Sequence, residues 1–170
     1  MYRLLPPRFI ATLAAVVLAD IYLTGFTFHR LARVDLWVVF LVYYYFFYER
    51  EHSLAFAFIL GLIRDVLGQG VFGALAFGMP VACILLIRLG ATLNREKFYV
   101  QALALFSVTF LMMGCDLIVE SAFYGQWIWL NRFFSRILFT SMATALAGPF
   151  ILGVMQKFLG STPRQYELFA

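Results

Sequence analysis

The sequence predicts an all-α integral-membrane bundle of six transmembrane helices in which the second and third spans are short. Three observations predict it. Hydrophobic residues make up 64% of the 170 positions and charged residues 13%, against roughly 45–50% and about 25% in soluble domains. Six long apolar runs fill the chain: Phe9–Phe28, Leu36–Tyr48, Leu54–Leu67, Phe72–Gly90, Val100–Phe123 and Phe133–Phe158. A helix needs about 20 apolar residues to cross a hydrocarbon layer of about 30 Å, so these runs leave no room for a separate soluble module. Residues 1–170 read as a single polytopic membrane domain.

The first run admits two readings. Arg3 and Arg8 before Phe9–Leu18 resemble a secretory signal, with Val17-Leu18-Ala19 as its cleavage site. The apolar pattern continues past Asp20 to Phe28, longer than a signal core requires, which favours an uncleaved first helix. Ala11, Ala15 and Ala19 recur every four residues on it, a small-residue spacing that lets helices cross closely. Asp20 is an isolated charge in this helix, and an ionisable side chain in lipid costs a few kcal/mol unless paired or wetted. Arg30 or Arg33 is its candidate partner.

The second and third runs would rise only about 20 Å each at 1.5 Å per residue, with Glu49-Arg50-Glu51-His52 as the turn between them. The third ends in Gly68-Gln69-Gly70-Val71-Phe72-Gly73. Irregular backbone at membrane depth is tolerated only where protein or a water-filled cavity covers it, so this stretch is either an internal polar site or an outer loop using glycine to turn. Gly61 permits close approach of a neighbouring helix. Asp65, four residues on, shares its face. Arg64 projects about 100° away and does not pair with Asp65 automatically; near the outer end it could snorkel to lipid phosphate. Asp65 either braces the glycine loop or contacts a partner or ligand.

The fifth run carries Asp116 and Glu120 one turn apart, on one face. Two carboxylates so placed repel unless a cation or proton intervenes. Arg132 and Arg136, also four apart, open the sixth run, and an antiparallel hairpin would bring the two pairs to similar depth as a charge cluster. A proton relay is the alternative use of these acids, with no lysine or histidine at mid-membrane to complete it. Ala143 and Ala147 repeat the small-residue spacing on the sixth helix.

The net charge of +4 and pI near 9.3 do not point to nucleic acid, because the basic residues sit at span ends, where they meet membrane lipid. With the N-terminus inside, Arg3, Arg8, Arg50, Arg88, Arg95, Lys97, Lys157 and Arg164 are cytoplasmic; Arg30, Arg33, Arg132, Arg136 and Arg64 are outer or within the membrane. That bias places both termini in the cytoplasm. Trp37, Trp127 and Trp129 then fall at the outer interface, and Tyr43, Tyr44, Tyr45 and Tyr48 near the inner one.

Catalysis finds no support in the motifs. GxSxG, HExxH, P-loop and CxxC patterns are absent, and His29 and His52 fall at opposite faces. Cys83 and Cys115 lie within apolar runs without metal or redox spacing, as packing residues do. No cofactor is expected.

Gly61-Leu62-Ile63-Arg64-Asp65-Val66-Leu67, with Gly73 eight residues after the aspartate, resembles the central signature of the MreD family, small inner-membrane proteins of the bacterial cell-elongation machinery. Length, six-run hydropathy and the short second and third spans fit the same family. The chain departs from the pattern at Gln69, where a glycine is expected, and at Arg64, where an apolar residue is usual. The resemblance implies a non-catalytic scaffold. Its partners would be an MreC-like bitopic protein, an MreB-like filament, and a RodA-like glycosyltransferase with its transpeptidase. In outline the family is similar to the six-span S components of energy-coupling-factor vitamin transporters, which supplies the alternative function: small-molecule binding in a pocket open to the outside. A groove lined by Gly61, Gly73 and the alanine stripes is the expected seat for the partner's single helix.

Overall fold

The computed structural model describes residues 7–26, 34–48, 52–68, 71–92, 97–124 and 130–159. All regular structure among them is helical: α1 (Pro7–Phe26), α2 (Leu36–Tyr43), α3 (Ser53–Leu67), α4 (Ala74–Thr92), α5 (Phe98–Tyr124) and α6 (Leu130–Leu159), with α2 running on as a π-helical turn over Tyr44–Tyr48. Each helix falls on one of the six apolar runs, with ends displaced by a few residues. Two stretches of 26 residues, Phe98–Phe123 and Phe134–Leu159, are long and apolar enough to cross a membrane. At 1.5 Å per residue each spans about 39 Å. Phe9–Tyr22, Leu36–Phe47 and Ala74–Leu89 are shorter apolar helices.

The short second helix owes its character to its place. A helix apolar all round has no solvent face and must be surrounded. Here α2 touches α1, α3, α5 and α6, and every side chain from Trp37 to Phe46 is buried. The later helices α3 to α6 pack as successive neighbours. Helix α3 buries Phe56, Ala57, Leu60, Gly61 and Asp65 at helical spacing, yet its other face shows Leu54, Phe58, Ile59, Val66 and Leu67. An outward face this apolar suits lipid or protein rather than water. Hydroxyls within the helices are satisfied locally: Thr109 Oγ1 donates to Leu105 O, Ser141 Oγ to Ile137 O and Thr144 Oγ1 to Thr140 O. Each closes on the carbonyl four residues back, the usual solution where no water is at hand.

Aromatic rings close the bundle where α1 begins, α2 ends and α3 begins. Phe9 packs on Phe40, Tyr44 and Phe56 with centroids 5.1–5.6 Å apart, and Tyr44 stacks on Phe56 at 4.0 Å. Such pairs contribute about 0.5–1.5 kcal/mol beyond the area they bury. Tyr43, Tyr44 and Tyr45 were expected as interfacial anchors. They are 0–4% exposed, and so belong to this core instead.

Candidate functional site: a polar node joining four helices

The opposite end of α2 is polar. Asp35 caps the helix, its carboxylate accepting from the Val38 amide at 3.4 Å. Its own amide donates to Thr144 Oγ1 on α6 at 3.0 Å. Arg64 on α3 donates through one nitrogen, Nη1, to both carboxylate oxygens of Asp35, at 2.8 and 3.1 Å. The same nitrogen lies 3.6 Å from Met112 Sδ on α5. Side chains of α3, α5 and α6 therefore converge on the first turn of α2. The ion pair is deep, with Asp35 2% and Arg64 12% exposed. Removing one partner from such a pair leaves a buried charge unmatched.

Next to Arg64 on α3, Asp65 closes the α3–α4 connection. Its carboxylate accepts from the amides of Gly73 (3.0 Å), Leu75 (3.2 Å) and Ala76 (2.9 Å). These are donors that the start of α4 leaves without helical partners, and an anion at a helix N-terminus also suits the helix dipole. Gly61, one turn earlier on α3, meets the same place. A Cβ there would sit 2.5 Å from Leu75 O and 2.7 Å from Ala76 Cα. Gly73 has φ +95°, a backbone that other residues rarely adopt, with open space around it.

Several expectations are corrected by this geometry. Arg64 does not snorkel to phosphate: Asp35 holds it inside the protein. Trp37 is 1% exposed and no interfacial anchor; its indole donates to Asp20 Oδ2 at 2.9 Å. Asp20 thus has a neutral donor on α2, while Arg30 and Arg33 lie outside the described residues, as do Trp127 and Trp129. Asp116 and Glu120 are half-buried on α5 and Arg136 is exposed on α6. No direct ion pair joins these three among the described residues, although Asp116 lies in the electrostatic field of Glu120, Arg64, Asp65 and Arg136. The Arg132 side chain lies outside the described residues. The groove expected at Gly61 is closed by α4. On the alanine stripes, Ala11 and Ala15 are exposed, whereas Ala19, Ala143 and Ala147 are half-buried.

Asp35 and Thr144 were missed by sequence reasoning. An aspartate directly before an apolar run is a helix N-cap signal, so Asp35 was legible. A threonine inside a 30-residue helix carries no such signal.

Together these features define, among the described residues, a helical bundle with two helices long and apolar enough to cross a membrane, whose buried polar groups tie helices to one another. The family model of the rod shape-determining protein MreD matches residues 3–159, nearly the whole chain. The chain belongs to that family, whose work is the determination of rod shape. No curated protein and no solved structure matches it.

Proposed function

We propose that this chain is a six-span protein of the bacterial cytoplasmic membrane, with both termini in the cytoplasm, acting as a non-catalytic scaffold in wall elongation. It binds an MreC-like bitopic protein and so helps to organise an MreB-like filament and a RodA-like glycosyltransferase with its transpeptidase during peptidoglycan synthesis. The observation that carries the reading is the family match over residues 3–159. The architecture supports it physically. Asp35, Arg64 and Asp65 are engaged in joining helices, and the centre of the bundle is filled by the apolar side chains of α2. That arrangement suits a rigid body presenting surfaces better than a vitamin pocket.

The partner helix is best placed on α1, which packs on α2 and leaves Ala11, Ala15, Leu18 and Tyr22 outward. Small residues there permit the close approach that drives helix association in lipid. Co-purification from membranes tests the proposal. An MreC-like partner should be recovered with the wild-type chain and lost with Ala11→Leu/Ala15→Leu, whose melting stays that of wild type because both positions are exposed. Recovery of a partner-free monomer carrying a vitamin would reject the scaffold.

A further inference from the structure

The two sides of the bundle offer a membrane apolar bands of different height. Helix α3 turns Leu54, Phe58, Ile59, Val66 and Leu67 outward, between exposed His52 and exposed Gly68. That helix has 15 residues, about 22 Å at 1.5 Å per residue. On α4, the run from Ala74 to the exposed Arg88 covers about 21 Å. On α6, the run between exposed Arg136 and exposed Lys157 covers about 31 Å, the thickness of an ordinary hydrocarbon layer.

Close contacts show at which end the difference falls. A Cβ on Gly78 of α4 would lie 3.5 Å from both Met112 O and Cys115 Cβ on α5. Ser53, at the start of α3, shares a side-chain hydrogen bond with Cys83 on α4. Counted along the helices from the level of Gly78 and Met112, Lys97 stands about 22 Å away, Arg88 about 15 Å and His52 about 9 Å. All three are exposed at the same end of the bundle. Arg88 and His52 therefore close the apolar surface about 7 and 13 Å further inward than Lys97 does. A long side chain can snorkel across part of such a gap, which serves Arg88. The short His52 cannot, and Glu49-Arg50-Glu51 directly precede it. The cap of α3 also gives its first turn no side-chain hydrogen bond, and amides at a helix start need water, phosphate or another acceptor.

We propose that the α3–α4 flank holds the bilayer thin: cytoplasmic-leaflet headgroups are drawn inward to His52 and Arg88, and a shortened acyl layer covers the outer face of α3. The inference rests on the six-span reading, which puts these helix ends on the cytoplasmic side. An apolar segment shorter than the hydrocarbon layer thins the bilayer around it. Equal band heights on two neighbouring helices, closed by an exposed cation, fit an acyl layer that ends at headgroup phosphate.

A depth measurement tests it. The full-length chain with Cys83→Ala/Cys115→Ala carries a bimane label at Leu54→Cys or at Leu103→Cys, both exposed positions. It is reconstituted in phosphatidylcholine–phosphatidylglycerol vesicles containing lipids with nitroxides at graded depths. In a bilayer of even thickness position 54 lies about 7 Å deeper than position 103; with the leaflet drawn in to His52 the order reverses, and position 54 lies about 6 Å shallower. Quenching that places position 54 deeper than position 103 overturns the proposal. So does quenching at position 103 alone, which would mean that protein rather than lipid covers α3. Quenching at neither position would reject the six-span reading, and the proposal with it. Wild-type melting in nanodiscs decides without any variant: of monounsaturated chains of about 14, 18 and 22 carbons, the longest should give the lowest melting temperature, and any other order overturns the proposal.

Discussion

Replacing Asp65 probes the joint between α3 and α4 most directly. Two of its three amide bonds, from Gly73 and Ala76, end on Oδ2, and the third, from Leu75, ends on Oδ1. Asp65→Leu leaves all three donors at the start of α4 without an acceptor. At about 1–3 kcal/mol for each buried donor left unmade, the loss is at least about 3 kcal/mol. Asp65→Asn can put its carbonyl oxygen where Oδ2 stood and keep two bonds, but its amide then faces the Leu75 N–H and the charge is gone. One lost bond and a weakened helix-dipole contact bring that variant to about 1–3 kcal/mol. For chains of 150–250 residues, 1 kcal/mol shifts melting by about 2–4 °C, so Asp65→Leu should melt at least about 6 °C below wild type and Asp65→Asn between the two. Melting curves of the purified proteins in one detergent measure this. Partner recovery from the same preparations separates a brace from a contact, because a residue that only contacts the partner would leave both variants folded and neither able to bind. Wild-type melting and binding in Asp65→Leu would refute the bracing argument outright.

Other perturbations follow from the same geometry. Arg64→Met or Asp35→Asn alone should cost about 3–5 kcal/mol by stranding the other half of a buried pair, whereas Asp35→Leu/Arg64→Met should melt closer to wild type than either single variant. Gly61→Ala would drive a Cβ into the backbone of Leu75 and Ala76 and should cost about 1–3 kcal/mol as an overpacked contact, read in the same melting assay. Gly73→Ala meets no atom within 4 Å, so its penalty is that of positive φ alone, about 1–2 kcal/mol, and Gly73→Asn should recover part of it. Trp37→Phe keeps the ring but removes the donor to Asp20; a loss of about 1–3 kcal/mol is expected for a bond to a charged group, with Asp20→Asn less affected than Trp37→Phe.

The helices were legible because their signal is crude and strong. Apolar runs bounded by charge and glycine placed all six, and the short second and third elements stand where their lengths required. The partners of the charges were less legible, because sequence separation hides them. Arg64 finds Asp35 across 29 residues, and Asp35 finds Thr144 across 109. Reading Trp37 and the tyrosine run as interfacial anchors assumed that each helix faces lipid. Helix α2 sits in the middle of the bundle, where aromatic rings are core and an indole N–H must find a protein acceptor. The expected α5–α6 charge cluster assumed that equal spacing gives equal facing, yet Arg136 projects outward while Asp116 and Glu120 are half-buried.

The residues that first suggested the family now have one mechanical meaning. Gly61 and Asp65, a single helical turn apart, present one face of α3 to the first turn of α4. The glycine lets the Leu75 and Ala76 backbone come within contact, and the carboxylate collects the amides of Gly73, Leu75 and Ala76. Gly73, eight residues on, supplies the positive φ with which the chain enters that turn. The spacing is therefore that of a staple between two adjacent helices, and no separate ligand is needed to explain it. Arg64 lies about 100° round the helix, off the stapled face, which is why a charge can replace an apolar residue there provided Asp35 meets it. Gln69 lies outside the described residues. Because the staple consumes Gly61 and Asp65 internally, the surface that recognises a partner has to be sought on helices that keep a free face, and α1, held mainly by α2, has the most of itself to offer.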